Sequence, residues 1–344
     1  MIDLKLIEQL TNAWGVSGNE NQVRKLIRQQ IEKRVDNIRV DALGNLIAFK
    51  KAKSSKSKVL KVMIAGHMDE IGLMVTRIDK SGYLKFDKVG GIDDRVLLAK
   101  RVLVGKDRVP GVIGVRPIHM LARKGEHRKV SSYEELLIDI GAGSQEEAER
   151  WVKAGDYVMF DTACEDWGRN LKGKAFDDRI GCYLMIELLK QRYPFDLYAA
   201  FTTQEEIGLR GGRVAAYRTL PDLAFILEGT GAGDFPQQDN KDVSRVPALG
   251  KGPVVTVMDR SVFCDKGLVK LLLDTARSRR IPVQIKRPGI GGTDAGRIHI
   301  TKEGVRTAVI AVPTRYIHSP TCLINKQDIA ASLKLMQETL KKVK

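Results

Sequence analysis

Two of the chain's five histidines stand where short apolar runs break off, each with acidic residues close by. Residues 59–65 run into Gly66-His67-Met68-Asp69-Glu70, and residues 307–312 are followed by Tyr316-Ile317-His318-Ser319. Residues 197–203 lead to Gln204-Glu205-Glu206, and 223–227 lead to Glu228-Gly229. A fifth acidic site, Asp177-Asp178-Arg179, sits just before a helical run. Imidazole and carboxylate together suit zinc or another divalent transition metal. Asp69 is two residues from His67, so on extended backbone the two side chains share a face. Such a carboxylate can accept the second ring N–H of a metal-bound histidine and fix its tautomer. Glu205 and Glu206 diverge as neighbours, so one can bind metal while the other faces substrate as a free base.

Each of these residues has an ordinary reading when taken singly. A lone histidine is more often a hydrogen-bonded structural residue, a glutamate pair a solvated turn, and Asp178-Arg179 a helix-start ion pair. Convergence decides between the readings. The apolar runs have the continuous character of strands buried on both faces of a sheet. In an open α/β sheet, ligands gather at the carboxyl ends of such strands.

Elements must position these residues. The spacing of Leu4, Leu6, Ile7 and Leu10 predicts a first helix ending near Gly15. Ser17-Gly18-Asn19-Glu20 reads as a capping box opening a second helix, with Ser17 as cap and Glu20 reaching back. Strands follow at 37–40 and 45–49, and the lysine-rich stretch 50–61 reads as a solvated hairpin loop. Between about Ile71 and Ala163, short apolar stretches alternate with Gly, Pro and charged turns, as in a small β-rich domain inserted into an α/β one. The α/β rhythm then resumes, with helices at 180–190, 262–278 and 327–342 and strands at 197–203, 223–227, 254–257 and 307–312. The expected domains are 1–70 with 164–344, carrying the site, and 71–163 as the insert. His119, His127 and His299 lack acidic neighbours in a ligand rhythm and read as structural, and Asp93-Asp94-Arg95 as a surface turn.

At 344 residues the chain exceeds what one core usually holds, which agrees with two domains. Four scattered cysteines fit buried reduced thiols better than a disulfide framework. The absence of a signal-peptide pattern and of a long apolar run points to a cytoplasmic protein without a membrane partner. The net charge of +16 is spread along the chain, and aromatics make up only 6%, so no nucleic-acid partner is expected.

The segments Ala65-Gly66-His67-Met68-Asp69-Glu70-Ile71-Gly72, Ala175-Phe176-Asp177-Asp178-Arg179, Thr202-Thr203-Gln204-Glu205-Glu206-Ile207-Gly208-Leu209-Arg210-Gly211 and Tyr316-Ile317-His318-Ser319 resemble the M42 family of dinuclear metallo-aminopeptidases. The resemblance runs from the first helix to the last. It implies a mixed-sheet α/β catalytic domain sandwiched by helices, with an inserted PDZ-like or barrel-like domain that mediates assembly into a dimer or a dodecamer. It also implies two divalent ions, zinc or cobalt. Asp177 would bridge them, with His67 and Glu228 completing one site and Glu206 and His318 the other. Glu205 would be the general base and Asp69 the partner of His67, acting on peptide substrates from the N-terminus. Many relatives have aspartate at the position of Glu228, so this chain departs there. Gly233-Asp234-Phe235-Pro236 and Gly291-Gly292-Thr293-Asp294 resemble family loops near the site and are expected to touch substrate. Some family members carry the name endoglucanase, making a β-1,4-glucanase-like glycoside hydrolase the alternative. That chemistry needs two carboxylates across a sugar bond and leaves His67, His318 and Asp177 idle.

Overall fold

The computed structural model describes residues 2–53, 59–115, 130–236 and 246–343. Its centre is four parallel strands, Asp196–Thr202, Lys61–His67, Leu223–Gly231 and Arg306–Arg315, hydrogen-bonded in that order. Nearly every residue in them is buried, which explains their unbroken apolar sequences. Antiparallel strands extend both flanks: Leu46–Lys50 and Asn37–Val40 on one side, Cys322–Asn325, Asn170–Gly173 and Glu165–Trp167 on the other. The short strands Val254–Thr256 and Gln284–Ile285 branch from Arg306–Arg315, giving one eleven-stranded mixed sheet among the described residues.

Helices cover the sheet. Leu4–Asn12 turns Leu6, Ile7 and Leu10 inward and starts at Asp3, whose carboxylate accepts the Leu6 amide. Phe176–Leu188 is buried almost all round, packed on the strands Lys61–His67 and Leu223–Gly231. Truncating Leu184 in it to alanine would cost about 2–5 kcal/mol. Lys266–Arg279 and Lys326–Leu340 pack on one another beside it. A further helix, Arg210–Thr219, brings Gly211, Gly212, Ala215 and Ala216 against the sheet, small residues that allow close approach.

Between Lys61–His67 and Phe176–Leu188 the chain builds a closed barrel. The strands Gly72–Ile78, Leu84–Val89, Leu137–Asp139, Val109–Gly114, Arg101–Val104 and Tyr157–Phe160 pair antiparallel around it. Leu73, Val75, Leu84, Phe86, Val102, Val104, Ile113, Ile138 and Val158 form its own core. Closure removes the exposed strand edges that an open sheet of this size would carry.

The structure corrects several expectations. Residues 50–61 join no hairpin, because Leu46–Lys50 and Lys61–His67 each pair with Asp196–Thr202 between them. Part of that connection, like His119 and His127, lies outside the described residues. The helix after Glu20, Asn21–Ile31, has no side-chain cap, since Ser17 and Glu20 direct their oxygens elsewhere. Asp178 and Arg179 do not pair either. Arg179 reaches Glu70, while Asp178 accepts the amides of His67 and Gly181. Asp93-Asp94-Arg95 is a surface 3-10 turn, and His299 bonds the carbonyl of Ala295 within its own segment.

Candidate metal centre

The parallel register sets the site. His67 stands abreast of Thr202 at the carboxyl ends of their strands, and Glu205 and Glu206 follow beyond Thr203 and Gln204. Asp177 enters from the start of Phe176–Leu188, and His318 from the turn between the last two strands. Glu228 lies inside the strand Leu223–Gly231 rather than at its end. Its neighbour Gly229 leaves room for Asp177, whose atoms would sit 3.1 Å from an added Cβ.

The seven residues singled out in the sequence come together here. Asp177 faces both histidines: Oδ1 lies 3.3 Å from His67 Nε2 and Oδ2 lies 3.5 Å from His318 Nε2. Glu228 Oε2 is 3.6 Å from His67 Nε2, and Glu205 Oε2 is 4.0 Å away. Glu206 Oε2 is 3.4 Å from His318 Nε2. The other ring nitrogens have backbone partners. His67 Nδ1 pairs with the Asp69 carbonyl at 3.1 Å, closer than the Asp69 carboxylate at 3.5 Å, and His318 Nδ1 pairs with the Gly91 carbonyl at 3.0 Å. Both Nε2 atoms are thereby left toward the centre.

The Asp69 carboxylate also reaches the glutamate pair. Its Oδ1 accepts the Glu205 amide at 3.0 Å and its Oδ2 the Glu206 amide at 3.1 Å. Backbone strain collects here too: Gln204 has φ +56° and His318 φ +57°, conformations that side chains other than glycine rarely take.

The electrostatics describe a centre short of positive charge. Burial drives the carboxyls of Glu205 and Glu228 well above the usual glutamate range and Glu206 up to about 7. Burial opposes the charged form of His318, yet Asp177 and Glu206 hold it up at about 9, and His67 is likewise raised by Asp177 and Asp69. Asp177 Oδ1 and Glu228 Oε1 are buried without a hydrogen-bond partner. Such orphaned oxygens normally answer to an ion or water. His67, Asp177 and Glu206 place donor atoms within 4.8 Å of one another, and so do His67, Asp178 and Glu228. The oxygens of Asp178 are already taken by amides, so Asp177 is the better donor. The donor set therefore fits a divalent transition metal.

These groups open into a cleft of about 550 Å³. Phe235, Val246, Ile290 and Ile317 give it apolar walls, and Lys286 and Arg287 add two cations. Gly233, Gly291, Gly292 and Thr293 line it as well. Asp234 and Asp294 of the same two segments are not among its lining residues. Asp234 is held by Arg315 through two bonds of 2.7 Å, and buried Asp294 accepts from Thr202. The basic pair at 286–287 has no signature in the sequence, where nothing separates it from other surface charge.

A mixed α/β sheet with histidines and carboxylates gathered at its strand ends defines a metal-dependent hydrolase. The M42 glutamyl aminopeptidase family matches residues 44–335. The chain is 35% identical to the lysyl aminopeptidase of Pyrococcus furiosus, over all of this chain and 98% of that protein. The TET aminopeptidase of a marine sediment Thaumarchaeota archaeon superposes with a TM-score of 0.93 at 36% identity, covering 99% of this chain and 96% of that one. The TET1 peptidase of Pyrococcus horikoshii, which assembles into a tetrahedron or a large octahedral shell, gives 0.85 at 32% identity, covering 99% of each. This chain belongs to the M42 family and is a metal-dependent aminopeptidase.

Proposed function

We propose that the centre holds two divalent ions, zinc or cobalt, and removes N-terminal residues from peptides. The observation that carries this reading is Asp177, whose two oxygens face one histidine each. His67 and Glu228 would hold one ion, Glu206 and His318 the other, with Asp177 shared. When bound, the ions would supply Lewis acidity, acidifying water and polarising the scissile carbonyl. Glu205 is the carboxylate left free of a ligand role and facing the cleft, so it serves as the base that takes a proton from water and hands it to the leaving amine. Asp69 positions this pair through the Glu205 and Glu206 amides and steadies His67. Burial of Glu205 makes its proton worth holding, as a group that alternates between base and acid requires.

The cleft indicates the substrate. Its walls accept an uncharged or acidic first side chain, and Lys286 and Arg287 favour the acidic one. A glucanase role has little support. The chain has three tryptophans, and none is among the described lining residues of the cleft. We assign residues 1–70 with 164–344 to catalysis and 71–163, which include the barrel, to self-association as a dimer or a dodecamer. The free thiols of Cys164, Cys182, Cys264 and Cys322 support a cytoplasmic location. No helix among the described residues is long and apolar enough to cross a membrane.

The test is hydrolysis of aminoacyl-p-nitroanilides beside carboxymethylcellulose, before and after chelation, with zinc or cobalt restored. Metal-dependent release from the anilides alone is the expected result. Cellulose cleavage without anilide turnover would overturn it.

A further inference from the structure

The segment Ser17-Gly18-Asn19-Glu20 has the pattern of a helix cap and does not act as one. Ser17 turns to a strand end instead, and Glu20 divides its oxygen between its own loop and another strand end. Ser17 Oγ donates to Asp69 Oδ2 at 2.5 Å, and Ser17 N donates to the Glu70 carbonyl at 3.1 Å. Glu20 Oε1 accepts the amide of Gly18 at 2.7 Å and that of Gln204 at 3.3 Å. Both side chains are buried, at 3% and 2% exposure, although serine and glutamate normally sit outside. The loop is fixed in shape as well. Gly18 has φ +89°, and a Cβ there would meet the Tyr157 hydroxyl at 2.6 Å.

These bonds meet the site at one place. Three successive amides, of Gln204, Glu205 and Glu206, are gripped by two carboxylates, Glu20 for the first and Asp69 for the other two. Gln204 is the residue held in the left-handed region, so the direction in which the next two glutamates leave the strand depends on that grip. Ser17 in turn saturates the oxygen of Asp69 that holds Glu206.

We propose that Ser17 and Glu20 are positioning residues that set the orientation of the Glu205–Glu206 pair, through Asp69 and Gln204. The inference rests on the reading of Glu205 as base and Glu206 as ligand. A displacement of the reacting groups by about 1 Å can cost on the order of 100-fold in rate, even when caused from outside the site. A capping role would instead lower the stability of Asn21–Ile31 and leave turnover alone.

The experiment measures kcat and KM of the metal-loaded enzyme on leucyl- and glutamyl-p-nitroanilide for Ser17→Ala, Glu20→Ala, Glu20→Gln and Glu205→Gln. Metal content and thermal midpoint are measured in the same samples. Ser17→Ala and Glu20→Ala are expected to lose roughly 10- to 100-fold in kcat with KM within about twofold and full metal content. Glu20→Gln, which keeps an acceptor oxygen for the two amides, is expected to recover most of that loss. Wild-type kcat in Ser17→Ala and Glu20→Ala, or a loss that tracks bound metal, would overturn the positioning role. If Glu20→Ala does not fold, Ser17→Ala alone decides, since it removes a single hydroxyl. Chelator-insensitive wild-type turnover, or full activity in Glu205→Gln, would instead overturn the reading of the site itself.

Discussion

Arg179 donates from Nη2 to Oε1 of Glu70 across 3.0 Å, with both side chains shut away from solvent. Its other nitrogens reach the carbonyls of Met68, Leu10 and Ala13, and Lys174 closes on the second Glu70 oxygen at 2.6 Å. One carboxylate thus ties the first helix, the segment after His67 and the entry to Asp177. Glu70→Gln leaves two buried cations without their counter-charge, and the expected cost is about 3–5 kcal/mol. Urea unfolding measures it. A change below about 1 kcal/mol would mean that the carbonyls alone satisfy both cations.

Lys174 gives that cluster a pH signature. Burial holds its ammonium down at about 8, with Arg179 and Arg108 adding repulsion and Glu70 opposing. A lysine whose folded value lies below its unfolded value releases its proton first in the folded state. Stability therefore rises with pH between about 8 and the unfolded value near 10.4, and is flat below that window. The gain is on the order of 1–3 kcal/mol. Lys174→Met is expected to lose this slope in urea midpoints taken at pH 7.5 and 9.5, values bracketing the start of the window at about 8. An unchanged slope would assign it to another group.

The proposed base and ligand roles separate by what each variant retains. Glu205→Gln is expected to keep its metal and lose about 10²–10⁴-fold in kcat. His67→Ala and His318→Ala are expected to lose bound metal, read by elemental analysis. Retention of full metal in both histidine variants would contradict the ligand assignment.

Thr202 and Asp294 join the strand end beside His67 to the loop that walls the cleft. The Thr202 hydroxyl donates to Asp294 Oδ2 at 2.6 Å, and Asp294 Oδ1 has no partner. Thr202→Val leaves the buried carboxyl with neither oxygen bonded, at about 1–3 kcal/mol, while Thr202→Ser is expected to stay within about 0.5 kcal/mol. Equal losses in the two variants would trace the cost to packing of the methyl group.

Lys286 and Arg287 carry the substrate prediction. Glutamyl-p-nitroanilide is expected to exceed leucyl-p-nitroanilide in kcat/KM by about 10-fold at low salt, with the gap narrowing as ionic strength rises. Replacing both cations with alanine is expected to erase the gap. Preference for leucine in the wild-type enzyme would show that the apolar walls decide.

The convergence of the candidate centre was legible because strand burial is written in continuous apolar runs, and the polar residues just past such a run lie at the sheet's edge. That logic located His67, Glu205 and Glu206 directly. It misplaced Glu228 at a strand terminus, since the polar Glu-Gly-Thr-Gly reads as a stop although pairing with Arg306–Arg315 carries the strand on to Gly231. Local patterns failed where tertiary partners outbid them. Ser17 and Glu20 match a cap in sequence, but buried oxygens and amides across the molecule claim them. Arg210–Thr219 is hard to read because its buried face is glycine and alanine, which carry little periodic signal. Strand neighbours are also silent in sequence: two runs separated by a lysine-rich stretch suggest a hairpin, yet a strand from far along the chain lies between them.

His318 sits in the turn between Arg306–Arg315 and Cys322–Asn325, later in the chain than every other residue assigned to the centre. During synthesis, then, the centre stays one histidine short until all four parallel strands have been made. A chain cut just before residue 318 would therefore keep all four parallel strands and still lack one of the two histidines that Asp177 faces.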